Sequence, residues 1–155
     1  MALFVGTFTN KIDKKGRVSV PASFRAVRLA NGEGALFGFP SADPLTEQKV
    51  IECCGESHMK NLRQEMKSLD EASDRYAYLS FILRHARELS FDAEGRVILP
   101  EDFVNFMESD EQVTFQGQGD YFYISTKAAS EPVEEMTKGV DEYLSNLRKR
   151  KGAAK

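Results

Sequence analysis

The feature that most constrains this chain is an internal duplication. Asp13-Lys14-Lys15-Gly16-Arg17-Val18-Ser19-Val20-Pro21 is answered seventy-nine residues later by Asp92-Ala93-Glu94-Gly95-Arg96-Val97-Ile98-Leu99-Pro100. Asp, Gly, Arg, Val and Pro recur at matching places and Phe24 is matched by Phe103, six identities in twelve ungapped positions. Val27 and Phe106 continue the apolar pattern, and Gly38 is answered by Gly117. A repeated unit completes its core against its copy. The expectation is therefore a duplicated small domain, each half presenting one Asp-x-x-Gly-Arg turn.

Patterning around the repeat predicts its elements. Leu3 to Ile12 alternates as a strand does, Asp13 to Gly16 is polar and turn-like, and Val18 to Val20 resumes a short strand. Gly16 supplies backbone freedom in that turn. Pro21 is placed to open a helix with Phe24, Val27 and Ala30 inward. Ala35 to Phe39 predicts a strand, and Leu45 to Cys54 a short helix. Between the copies, Met59, Leu62, Met66 and Leu69, then Tyr76, Leu79, Leu83 and Ala86, follow helical spacing with a break at Ala72 and Ser73. Two helices or one kinked helix follow, with Ser57 or Asp70 as caps. The second copy predicts a strand through Leu89 and Phe91, then its turn. A short helix burying Phe103, Phe106 and Met107 comes next, and strands flank Gly117-Gln118-Gly119. From Glu131 to Leu147 a helical rhythm runs through Val133, Met136, Val140 and Tyr143, ending in the basic run Arg148 to Lys151.

Composition narrows the function classes. A chain of 155 residues, 41% hydrophobic, holds one compact domain or two small ones sharing a core. A net charge of -3 and a pI near 5.5 oppose a uniformly basic nucleic-acid binder. The distribution is different: Lys11, Lys14, Lys15 and Arg17 face only Asp13 between residues 10 and 17. Steering depends on that local field. Cys53 and Cys54 are adjacent and have no metal-binding or disulfide-framework spacing, which suits structural thiols in an intracellular protein. No signal-peptide succession or membrane-length apolar run is present, so a cytoplasmic protein without a membrane partner is expected. His58 and His85 fit no metalloprotease or nucleophile arrangement, and the glycines form no phosphate-binding fingerprint. No catalytic residue, metal or cofactor is expected.

The two Asp-x-x-Gly-Arg-x-x-x-Pro segments, the helical connector and the chain length together resemble the MraZ family, two-copy members of the SpoVT-AbrB superfamily. The resemblance covers residue 3 to about residue 147. It implies an α+β fold, a duplicated swapped-hairpin AbrB-like β-barrel with connecting and C-terminal helices. The division would be residues 3–52 and 86–128 for the two repeats, 53–85 for the connector and 129–155 for the C-terminal helix and basic tail. It also implies a non-enzymatic transcriptional regulator, associated with the nucleoid. Its partners would be double-stranded DNA carrying short direct repeats upstream of division and cell-wall genes, and further copies of itself in ring-like or other higher oligomers. Lys15 and Arg17 match the family's basic loop positions and Arg96 the arginine of the second copy; Lys11 and Lys14 add charge beside the first. Asp13, Gly16, Asp92 and Gly95 would shape the loops. The second loop departs from the first, because Ala93 and Glu94 replace Lys14 and Lys15, so unequal contributions are expected. On the residues alone, ion pairs of Arg17 with Asp13 and Arg96 with Asp92 are the alternative. A protein-protein adaptor and a small-ligand or catalytic barrel are the functional rivals.

Overall fold

The computed structural model describes residues 2–32, 34–126 and 132–153. The first copy contributes β1 (Thr7–Lys11), β2 (Arg17–Ser19), α1 (Ala22–Ala30), β3 (Leu36–Ala42) and β4 (Lys49–Gly55). The connector is a helical hairpin, α2 (Glu56–Lys67) and α3 (Asp74–His85). The second copy repeats the order with β5 (Arg87–Leu89), β6 (Arg96–Ile98), α4 (Glu101–Met107), β7 (Gln112–Gly117) and β8 (Tyr121–Thr126), and α5 (Pro132–Ala153) follows. The fold is thus α+β. The expected start of the last helix, Glu131, lies outside the described residues.

The two copies are interleaved. A six-stranded antiparallel sheet has the order β1-β7-β8-β4-β3-β5, so the first strand of each copy pairs with the third strand of the other. β2 and β6 form a separate antiparallel ribbon in which Val18 faces its own counterpart, Val97. One core then serves both copies: Val18, Phe24, Val97 and Phe103 bury together with Phe115, Phe122 and Ile124. Phe24 lies at its centre, 4.9 Å from Phe122 and 5.4 Å from Phe4 and Phe8 between ring centroids.

The strands do not close into the expected barrel. In place of a continuous ladder, the ribbon meets the end of β1 through the single bridge Ile12 to Val18 and a hydrogen bond from Asn10 Nδ2 to the Ser19 carbonyl at 2.7 Å, and it meets the end of β5 through the bridge Phe91 to Val97. Each ribbon strand is three residues long because Pro21 and Pro100 follow almost at once and turn the chain into α1 and α4. A proline has no N–H with which to extend a ladder. The Gly38 to Gly117 correspondence also fails. Phe8 and Arg87 hold the same place in the two copies, yet Phe8 faces Phe115 whereas Arg87 faces Gly38. Phe115 is therefore the counterpart of Gly38.

The expected helix over Leu45 to Cys54 is instead an irregular stretch leading into β4, which continues to Gly55, and α2 starts at Glu56. β4 is covered on both faces. Ile51 and Cys53 join the shared core, while Cys54 joins a second cluster with Phe39, Leu62, Met66, Leu79 and Ile82 beneath the helical hairpin. In the hairpin, Ser73 is the N-cap of α3, its Oγ accepting the Tyr76 N–H at 3.1 Å, and Gly55 precedes α2. Neither Ser57 nor Asp70 takes the capping position. Ile82 is buried where Leu83 was expected to be.

Between β4 and the hairpin lies a partly buried acid, Glu52. Burial drives the Glu52 carboxyl up to about 7, against the opposing effects of a hydrogen bond from Ser41 and the charge of Arg75. His58 Nε2 is 3.9 Å from Glu52 Oε2, but burial also disfavours the imidazolium, so the contact is a poor ion pair. The folded pKa exceeds the ordinary 4.5, so folding favours the protonated acid. That contribution is full below the unfolded value and is lost as pH rises towards about 7. Glu52→Gln is expected to gain roughly 2–3 kcal/mol over wild type at about pH 8 and much less at about pH 5. Urea unfolding of both proteins checks this, since His58 titrates in each. Equal differences at the two pH values would contradict it.

Candidate nucleic-acid interface

Both turns are built by their own aspartate. Asp13 Oδ1 accepts the N–H groups of Lys15 and Arg17 at 3.0 and 2.9 Å, while its Oδ2 accepts Arg17 Nε at 2.6 Å. Asp92 repeats this, with Oδ1 accepting from Glu94 and Arg96 at 2.9 Å each and Oδ2 from Arg96 Nε at 2.8 Å. Such side-chain acceptors stand in for a backbone turn. The glycines complete it: Gly16 and Gly95 have φ of 83° and 77° and donate to the carbonyls of Asp13 and Asp92. The backbone N–H of Arg17 chiefly holds the Asp13 carboxyl below its ordinary range, and that of Arg96 does so for Asp92, in both cases against desolvation. A depressed carboxylate strengthens its turn above the ordinary range and loses that contribution as pH falls through the folded value.

Each turn is strapped to the opposite copy. Leu99 donates its N–H to the Gly16 carbonyl at 2.8 Å, and Val20 donates to the Gly95 carbonyl at 3.2 Å. The pairing Arg17 to Ile98 and Ser19 to Arg96 then sets these four residues on one face of the ribbon, opposite the buried Val18 and Val97. Ser19 and Ile98 are exposed. The arginines thus share an outward face, with one turn at each end of the ribbon.

The ion-pair alternative is realised in both copies, but it occupies the Nε edge of each guanidinium. An arginine has five donors, so its Nη edge can still address an external acceptor. Among the described residues, Arg17 forms an ion pair with Asp13 alone, and its side-chain hydrogen bond there is through Nε. Arg96 differs, since its Nη2 lies 3.2 Å from Glu94 Oε2. The hydrogen bond to Asp92 foremost, with the charges of Asp92, Glu94 and Asp13, raises the Arg96 pKa. Lys14 and Lys15 are exposed in the first turn, and the exposed Lys11 ends the strand leading into it. Geometry is shared by the two ends, whereas charge is not.

Sequence reasoning passed over Arg25. Its Nε donates to the Val20 carbonyl at 3.2 Å, and its guanidinium covers Gly95, 2.3 Å from where a Cβ there would sit. The available signal was internal, because the copy places apolar Val104 at the corresponding position. Arg25 lends one cation to the turn that has no lysine.

Elsewhere, a cavity of about 170 Å³ is lined by Phe4, Arg28, Asn31, His58, Asn61 and Asp120, among others. The Asn31 amide is committed to the backbone of Ala2, accepting and donating at 3.1 Å. Burial holds His58 below its ordinary pKa. Among the described residues no cluster of three or more His, Cys, Asp or Glu suits a metal ion, and no helix is long and apolar enough to cross a membrane.

Comparison with known proteins agrees with the duplicated turn. Residues 82–144 match the MraZ family model, described as an antitoxin-like MraZ protein. The transcriptional regulator MraZ of Rickettsia bellii (strain OSU 85-389) is 44% identical over 126 residues, covering 80% of this chain and 81% of that protein. The transcriptional regulator MraZ of Parvibaculum lavamentivorans is 43% identical over 125 residues, covering 80% and 76%. That of Rickettsia canadensis is 43% identical over 125 residues, covering 80% and 81%. With two interleaved copies of one turn and this identity across most of its length, the chain belongs to the MraZ family.

Proposed function

We propose that this chain is a sequence-specific DNA-binding transcriptional regulator that works without catalysis in the cytoplasm, on the nucleoid. The observation that carries the reading is the outward face of the ribbon, where Arg17 and Arg96 stand together and Lys14 and Lys15 flank one end. A two-stranded ribbon fits the major groove, where an arginine fork reads guanine. Arg17 takes that role, and Lys11, Lys14 and Lys15 bind phosphates, which fixes register without reading sequence. Asp13 and Asp92 aim their arginines, and Gly16 and Gly95 form the turns. Arg96 contributes less because Glu94 occupies its free edge.

We read the interleaving of β1 with β7, β3 with β5 and β2 with β6 as a swapped-hairpin arrangement. On this reading residues 3–52 and 86–128 are two DNA-binding repeats around the connector at 53–85, and 129–155 is an appendage. One face of this size binds weakly, and several copies in a homo-oligomer, ring-like or otherwise, raise the effective concentration on repeated sites. This accounts for DNA binding by a chain of net charge -3. The operator is a set of short direct repeats upstream of division and cell-wall genes.

Footprinting on that upstream DNA tests the reading. Protection should fall on regularly spaced short repeats and weaken steeply as salt rises. Uniform protection, or none, would rule out sequence-specific regulation. Glu94→Lys releases Arg96 and adds a cation, so it is expected to raise operator affinity roughly five-fold and steepen the salt dependence. Fluorescence anisotropy checks this, and unchanged affinity would show that the second turn stands off the DNA.

A further inference from the structure

The 22-residue helix α5 is the largest element with no explained surface. Val133, Met136, Val140, Tyr143 and Leu147 recur at intervals of three, four, three and four. That spacing is the seam of a coiled coil, whose apolar stripe meets another helix. Every described side chain of α5 except Leu147 is exposed, and Val133, Met136, Val140 and Tyr143 are each more than half exposed. Most of a helix's stability in a protein comes from packing its amphipathic face, so an open stripe calls for a partner.

Charge along the helix selects the partner and its direction. The first half carries Glu134, Glu135, Asp141 and Glu142 against Lys138, a net of -3. The second half carries Arg148, Lys149, Arg150 and Lys151, a net of +4. Two parallel copies would set like charges side by side. Antiparallel copies set the acidic half of each against the basic half of the other, and their helix dipoles oppose favourably.

We propose that α5 docks onto α5 of a second copy as an antiparallel coiled coil. Met136 packs against Leu147 of the partner subunit, and Val140 against Tyr143 of the partner subunit. This register repeats symmetrically and gives four apolar layers. It sets Glu134 and Glu135 level with Lys149 of the partner subunit and Arg148 of the partner subunit. The flanking positions Thr137, Gly139, Leu144 and Asn146 are uncharged, so no like charges meet beside the seam. The contact joins two DNA-binding bodies through their appendages. It adds a named joint to the oligomer proposed above, and its test uses no DNA, so it can fail while DNA binding stands.

Full-length Met136→Cys and Leu147→Cys proteins, one carrying a mass tag, are mixed with a short bifunctional maleimide. Cys53 and Cys54 are fully buried and stay out of the reaction. Mixed pairs linking position 136 to 147 should dominate. Dominant 136 to 136 and 147 to 147 links would mean a parallel pair and would overturn the proposal, as would absence of linked pairs. Sedimentation velocity of Val140→Asp should reveal self-association weakened roughly ten-fold or more. An unchanged profile would overturn the proposal, including the case in which the variant only loses thermal stability because α5 packs on its own body.

Discussion

Arg17→Ala is expected to lower operator affinity about 100-fold, whereas Arg96→Ala lowers it only about five- to ten-fold. Both arginines stand on one face and are held by equivalent aspartates, so geometry alone would make the two losses equal. The difference comes from what else touches each guanidinium. Arg17 has one carboxylate partner, Asp13, whose hydrogen bond takes its Nε, while Arg96 has two, Asp92 at Nε and Glu94 at Nη2. Removing Arg17 therefore removes a fork directed outward and leaves the surrounding lysines bound only to phosphates. Arg17→Ala keeps the two backbone bonds to Asp13 Oδ1, so the turn should still form. Anisotropy titrations at several salt concentrations check this, with circular dichroism confirming folding. Equal losses for the two variants would remove the basis for assigning the contact to the first turn.

The largest expected loss of stability belongs to Gly16→Ala, at roughly 3–5 kcal/mol, or about 10 °C in melting temperature. Two costs combine there. The φ of 83° is strained for any residue with a Cβ. That Cβ would also lie 2.5 Å from the Leu99 carbonyl oxygen, a backbone atom. The turn has little room to move away, because Leu99 N–H is bonded to the Gly16 carbonyl. Gly95→Ala shares the φ cost, but the nearest atoms its Cβ would meet belong to the flexible Arg25 side chain, which can swing aside, rather than to backbone. Its expected loss is about 1–2 kcal/mol. Urea unfolding of the two variants separates them, and equal losses would mean that the strap between Gly16 and Leu99 yields easily.

The turns were legible in the sequence because their chemistry is local. An aspartate three residues before a glycine and four before an arginine can supply every bond that shapes the loop, and it does so twice. The pairing of strands between copies was suggested by the family resemblance but was not legible in the strand residues themselves. Two similar strands look alike whether they pair within a copy or across, and only the assembled core decides. The strand over Lys49–Gly55 was missed for a related reason. A strand covered on both faces loses its alternation, and Val50-Ile51 with Cys53-Cys54 reads as a short apolar run that a helix would also allow. Glu52 interrupts that apolar run, and its raised pKa records the cost of holding an acid there. The site asymmetry was half legible: Glu94 stands in the sequence, but its fold back onto Arg96 and the approach of Arg25 to Gly95 depend on three dimensions.

The central claim is that two turns of one geometry act unequally on DNA because their third residue differs in charge. It is tested most directly by exchanging those residues, Lys15→Glu together with Glu94→Lys, which preserves composition and net charge. Arg17→Ala and Arg96→Ala are then measured in this background by the same salt-controlled titration. The expected result is that the gap between the two arginine losses narrows to about two- or three-fold, since Arg96 is released while Arg17 gains an acidic neighbour. A gap as wide as in the natural sequence would contradict the account.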